Sequence, residues 1–109
     1  MIDELQSARL LLKRGQTGLF ICTDGLNLQI DELNGTGSSG WWVLNPKRHV
    51  DRVFVFRQGK DGSSPNEVFS GRRVKSEALD DGRRYRLHLI DVRRDGNTQG
   101  RRTLISAYF

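Results

Sequence analysis

One cysteine, one methionine, two histidines and two prolines are all that these 109 residues contain of four informative residue types. Each shortage closes off a class of protein. A lone Cys22 excludes an internal disulfide. With His49 and His88 the only histidines, a four-ligand zinc site would have to be completed by carboxylates. Cys22 sits in the apolar run Leu19-Phe20-Ile21-Cys22, where a small buried thiol is the ordinary explanation. No apolar stretch approaches the roughly 20 residues of a membrane-spanning helix. The opening Met1-Ile2-Asp3-Glu4 is acidic where a secretory leader is basic. The expectation is a cytoplasmic chain with no membrane partner.

Catalytic signatures are also scarce. Ser38 and Ser39 lack the strand-to-helix elbow of a serine hydrolase. Asp51 and Glu67 flank a plausible hairpin, but Phe69 stands two residues after Glu67, where a metal nuclease of the Glu-x-Lys type needs lysine. Asp80-Asp81 reads as turn chemistry before Gly82. Gly35-Thr36-Gly37-Ser38-Ser39-Gly40 matches the G-x-G-x-x-G spacing. It is followed by Trp41-Trp42-Val43-Leu44 rather than by the helix whose N-terminus must face a pyrophosphate. Residues 35–40 therefore read as a Gly/Ser loop, and neither a cofactor nor a metal is expected.

What is abundant is positive charge, most of it arginine. The formal net charge is +5, and it is divided unevenly: residues 1–45 carry −2 and residues 46–109 carry +7. Twelve of the fourteen arginines lie in the second part. The pairs Arg72-Arg73, Arg83-Arg84, Arg93-Arg94 and Arg101-Arg102 recur there at expected turns or strand starts. Arginine rather than lysine matters because its planar fork grips phosphate through two parallel hydrogen bonds and stacks on bases. A one-sided field of this kind fits a polyanionic partner.

The length suits a single domain, residues 1–109, with one modest core. Ile2, Leu5, Ala8 and Leu12 fall at helical spacing, with acids in the first turn, Lys13 and Arg14 in the last, and Gly15 as a stop. This spacing predicts a helix over 2–14. Thr17 to Thr23 and the alternating Leu26, Leu28 and Ile30, separated by Asp24-Gly25, predict a hairpin over 17–33. Residues 41–109 then read as a sheet or barrel. The strands are Trp41–Asn45, Arg52–Phe56 (apolar on both faces and hence central), Glu67–Lys75 bent near Gly71, Arg83–Val92, and Arg101–Phe109 after an Asp95-Gly96-Asn97 turn. The fold class expected is α+β, mostly β: an N-terminal helix packed on a bent antiparallel sheet or barrel.

Alternation along the strand from Arg83 places Tyr85, Leu87 and Leu89 on a core face. Arg84, Arg86 and His88 form a basic stripe opposite. Trp41 and Trp42, adjacent in an extended strand, must point to opposite sides, so one can anchor the core while the other offers an aromatic plane for stacking.

Trp41-Trp42-Val43-Leu44-Asn45-Pro46, followed by Asp51-Arg52-Val53-Phe54-Val55-Phe56, resembles the opening of EVE-type domains of the PUA-like superfamily. There a tryptophan-led strand precedes one of the Asp-Arg-Val-Phe-Phe kind. The resemblance covers about sixteen residues. It implies a PUA-like β-barrel that binds RNA or modified bases in DNA, and an aromatic cage to which Trp41, Trp42 and Tyr85 would contribute. Here the tryptophan pair follows about forty residues of chain rather than opening the domain.

The functional expectation is a non-catalytic nucleic-acid-binding module for RNA or modified DNA. Arg72, Arg73, Arg84, Arg86, His88, Arg101 and Arg102 would hold phosphates, while Trp41 or Trp42 stacks on a base. Two alternatives fit the same composition. One is a protein-interaction module or inhibitor docking on an acidic partner, since arginine and tryptophan dominate protein hot spots. The other is a small basic ribonuclease using His49 and His88 as acid and base, with Arg72 or Arg86 stabilising the phosphorane. The final strand, if an edge, can pair with a second copy to form a homodimer.

Overall fold

The computed structural model describes residues 11–45, 47–58, 66–79, 82–98 and 105–108. They form seven strands in one sheet: β1 (Gly18–Thr23), β2 (Leu28–Asp31), β3 (Thr36–Val43), β4 (Arg52–Arg57), β5 (Asn66–Ala78), β6 (Arg84–Thr98) and β7 (Ile105–Tyr108). Their spatial order is β2-β3-β6-β5-β4-β1-β7. The sheet is open, with β2 and β7 at its edges, and mixed: β1 runs parallel to β4, and every other pairing is antiparallel. The mostly-β expectation holds. The all-antiparallel and closed-barrel expectations do not.

The 17–33 hairpin is also corrected. Asp24-Gly25 does turn the chain, with Leu26 N–H donating to Asp24 Oδ1 at 3.0 Å and Gly25 at φ 102°. The strands it joins nevertheless part to different regions of the sheet. The reason lies in β1, all six residues of which are buried. A strand apolar on both faces demands cover on both faces and neighbours on both sides, and β4 and β7 supply those neighbours. β2, with alternate residues exposed, is suited to an edge. The helix expected over 2–14 falls largely outside the described residues. Those described, 11–14, are turn, bend and irregular chain rather than helix.

Two apolar clusters lie on opposite faces of the sheet. The inner one gathers Leu19, Ile21, Val53, Val55, Phe69, Leu87, Leu89 and Val92, with Leu44 and Val50 beside them. The outer one gathers Phe20, Cys22, Phe54, Phe56 and Val68, against which Leu12 packs. Val53 to Phe56 are completely buried, as expected for the central strand. The starts of β1 and β4 are clamped together: Thr17 N–H donates to Asp51 Oδ2 at 2.7 Å, and the Asp51 and Arg52 amides donate back to Thr17 O at 3.0 and 3.2 Å.

The long β5–β6 hairpin separates β3 from β4 and dominates the sheet. Its register slips at three points, Val68/Phe69, Ser70/Arg72 and Arg73/Lys75. Each slip is a bulge, where one strand carries an extra residue and the twist increases locally. Asp95 and Gly96, expected in a turn, instead lie within β6, where the slip beside Val68 accommodates the extra residue. β6 thus runs on to Thr98 instead of stopping at Val92.

Candidate functional site

Residues 36–40, expected as a loop, form the first half of β3, and their small side chains have a packing reason. A Cβ on Gly37 would meet Gln29 O and Ile30 Cδ1 at 3.0 Å, and one on Gly40 would meet Arg86 Cα at 3.2 Å. Beyond Ser39 the β3–β6 register shifts: Ser39 faces Leu87 and Trp42 faces Tyr85. Gly40 and Trp41 are therefore two residues set against the single Arg86, the arithmetic of a bulge. It decides where the tryptophans go. Ser39 and Trp42 share the inner face, and Trp42 Nε1–H donates to Ser39 Oγ at 3.0 Å while its ring packs against the inner cluster beside Tyr85. Trp41 takes the outer face with Arg86, whose guanidinium carbon lies 4.4 Å from the indole centroid. This is a cation–π contact in which Arg86 and the half-buried indole hold each other in place.

The expected stripe of β6 is present. Leu87 and Leu89 are buried inward, and Arg86 and His88 stand on the opposite face. Across the hairpin, Lys75 pairs with His88 and Glu77 with Arg86. His88 Nε2 lies 3.1 Å from Glu77 Oε1, and this hydrogen bond is the main reason the Glu77 carboxyl titrates below its ordinary range. Arg86, His88 and Lys75 line one side of a surface concavity of about 550 Å³, with Gln29, Ser38 and Ile90 among the other lining residues. Among the described residues its one lining carboxylate, Asp31, is occupied in a turn: Asn34 N–H and Nδ2–H donate to it at 3.1 and 2.7 Å, and its pKa is lowered chiefly by that backbone bond. Arg86 Nε is buried and has no acceptor among the described residues.

The remaining arginines do not form one uniform surface, and the pairs at 72–73 and 93–94 lie inside strands rather than at turns or strand starts. Arg72 Nε donates to Asp91 Oδ2 at 2.7 Å, and Arg93 Nε lies 3.0 Å from Asp95 Oδ1. Arg73, opposite the inward Leu89, donates through Nη2 to Arg48 O at 2.7 Å. Arg94 bridges Glu32 at 2.7 Å and Glu67 at 2.6 Å. These bonds, Glu32 first, raise its pKa above the usual arginine value. Arg84 is exposed at the start of β6, opposite Val43. Arg101 and Arg102 lie outside the described residues.

A second, smaller concavity of about 290 Å³ is lined by Lys13, Gln16, Asp51, Arg52, Gly71, Arg72, Asp91 and Arg93. Arg52 donates to Ser70 Oγ and lies over the Phe54 ring. Neither Lys13, Arg52 nor Lys75 was among the residues expected at a site. Lys75 was legible in principle, because folding the 67–92 segment about Gly82 sets it near His88. The Val74 slip that completes the match carries no sequence signal.

His49 lies 2.9 Å from Asp51 Oδ1 and His88 is engaged with Glu77. Only His88 lines either concavity described above. Asp51 is held below its ordinary pKa first by the Thr17 amide and next by His49. Among the described residues no cluster of three or more His, Cys, Asp or Glu side chains is placed to hold a metal, and no helix is long and apolar enough to cross a membrane. Comparison of the chain with protein-family models, with curated proteins and with solved structures gave no match.

Proposed function

We propose that this domain binds nucleic acid, RNA or DNA with a modified base, without catalysis, and that the site is the outer face where Trp41 and Arg86 meet beside Lys75 and His88. The observation that carries the reading is the Arg86 guanidinium, stacked on the Trp41 indole and lining the same concavity as Lys75 and His88. A guanidinium carries five N–H groups, and phosphate is the acceptor that an arginine fork fits best. Lys75 adds charge and His88 an imidazole on the same wall, and Trp41 offers a ring for a base. The resemblance of residues 41–56 to EVE-type domains supports the same ligand class. Phosphate contacts supply affinity and register but no sequence information, so base preference would come from the aromatic side.

Titration with labelled single-stranded RNA, single-stranded DNA and duplex tests this. About four phosphate contacts give a log-affinity against log-salt slope of roughly −3 to −4. Arg86→Ala should weaken binding and flatten the slope. Absence of binding to every nucleic acid at low salt refutes the proposal. A partner captured equally well after nuclease treatment would point to an acidic protein instead.

A further inference from the structure

The two concavities share a face. β4–β5 register sets Val53 against Gly71 and Phe54 against Ser70, so Arg52 stands beside Arg72 on the side of the outer cluster. Ser70 pairs with Arg93, and Arg72 pairs with Ile90, placing both arginines on that side too. After the slip at Val74, Lys75 and His88 again pair outward, and the bulge in β3 adds Trp41 over Arg86. Along β6 the outer face therefore reads Arg86, His88, Ile90, Arg93. The first concavity lies at one end and the second at the other, with Arg72 and Ile90 between them. Carboxylates interrupt the second concavity but do not cancel it, since Lys13, Arg52, Arg72 and Arg93 outnumber Asp51 and Asp91 there and the Asp95 paired with Arg93. The Asp91 contact engages Arg72 through Nε and Nη2, whereas a guanidinium carries five N–H groups.

Resting on the nucleic-acid reading, we infer that the ligand is a single strand lying along β6, its base stacked at Trp41 and its backbone running to a second phosphate site formed by Arg52, Arg72 and Arg93. Single-strandedness follows from the indole, because a duplex hides the base faces that an aromatic ring must cover. Length follows from the strand. The ~7 residue steps from Arg86 to Arg93, at about 3.3 Å each and shortened by one bulge, span roughly 20 Å. An unstacked nucleotide covers roughly 6 Å, somewhat under twice the ~3.4 Å rise of a stacked one. The footprint is therefore about four nucleotides, at the small end for single-strand-binding β domains.

The test is a length series of labelled oligo-dT and oligo-rU from about two to about eight nucleotides, titrated by fluorescence anisotropy at low salt. Affinity should climb steeply to about four nucleotides and then rise only slowly. Arg52→Gln combined with Arg93→Gln should weaken the longer oligomers by about tenfold and reduce the salt slope by about one to two, leaving dinucleotide binding unchanged. Arg86→Gln should weaken every length. Arg93→Gln alone provides the same comparison, with half the effect, should the double variant not fold. Binding that ignores length, or a loss at Arg93 that is equal for short and long oligomers, overturns the footprint and leaves the first site standing. Duplex bound more tightly than single strand overturns it too. No binding at any length overturns both readings.

Discussion

The two adjacent tryptophans should separate stability from binding. Trp42 packs against the inner cluster and donates to Ser39 Oγ, and Ser39 is 0% exposed. Trp42→Ala removes that packing and leaves a buried hydroxyl without its donor. Large-to-small aromatic changes cost about 3–5 kcal/mol when burial is complete. The ring here is half-buried, which places the cost near 3 kcal/mol, a large share of the roughly 5–15 kcal/mol that stabilises a domain of this size. The corresponding fall in Tm is about 15 °C. Trp41→Ala removes a partly exposed indole and one cation–π contact, about 1 kcal/mol, and should shift Tm by about 5 °C. Binding should respond in the opposite proportion. Loss of a stacking platform costs about 1–3 kcal/mol, or roughly 5-fold to 150-fold in affinity, whereas Trp42→Phe, which keeps the core filled, should leave affinity within about twofold. Urea or thermal unfolding followed by circular dichroism reads the first quantity, and anisotropy with a single-stranded oligomer the second. Equal thermal losses for the two alanine variants would refute the assignment of the rings to opposite faces. A Trp41→Ala protein that binds as well as wild type would refute the role given to the outer one.

Gly71→Ala should destabilise by about 1–3 kcal/mol through overpacking, because the added methyl would meet Ile90 O and Val92 Cγ2 at 3.0 Å and the carbonyl belongs to the β5–β6 ladder; urea midpoints measure this. Asp51 and Glu77 have folded pKa values below their free values, so their contribution to stability is fully present above the ordinary carboxylate range and is lost as pH falls through the depressed values. Unfolding midpoints from pH ~7 down to ~3 should show this decline, with Asp51→Asn flattening part of it. Arg94→Gln should release the Glu32 turn from Glu67, speeding amide exchange over residues 31–35, and its effect on Tm should shrink as salt is raised.

The readable parts of the fold were those governed by one face and one period. Val53 to Phe56, apolar at every position, announced a central strand. Tyr85, Leu87 and Leu89 announced the inward face of β6, which fixed Arg86 and His88 on the other. What the sequence concealed depends on which strands meet, and local pattern does not carry that. Asp24-Gly25 has every mark of a hairpin turn, yet β1 finds β4 and β7 because a strand buried on both faces gains more between two partners than beside the polar-alternating β2. Gly35 to Gly40 reads as a linker only while its neighbours are unknown. Once Gly37 lies against Ile30 and Gly40 against Arg86, the absence of side chains becomes what lets the strands approach. The bulges matter most for the proposed site. Strict alternation would put Trp41 on the same face as Ser39 and Trp42 on the other. The extra residue opposite Arg86 reverses this, sending Trp42 inward to Ser39 and Trp41 outward under a guanidinium. The proposed site, a cation, a ring and a shared outer face, thus depends on a single irregularity in β3, and charge patterning could name its arginine without being able to choose its tryptophan.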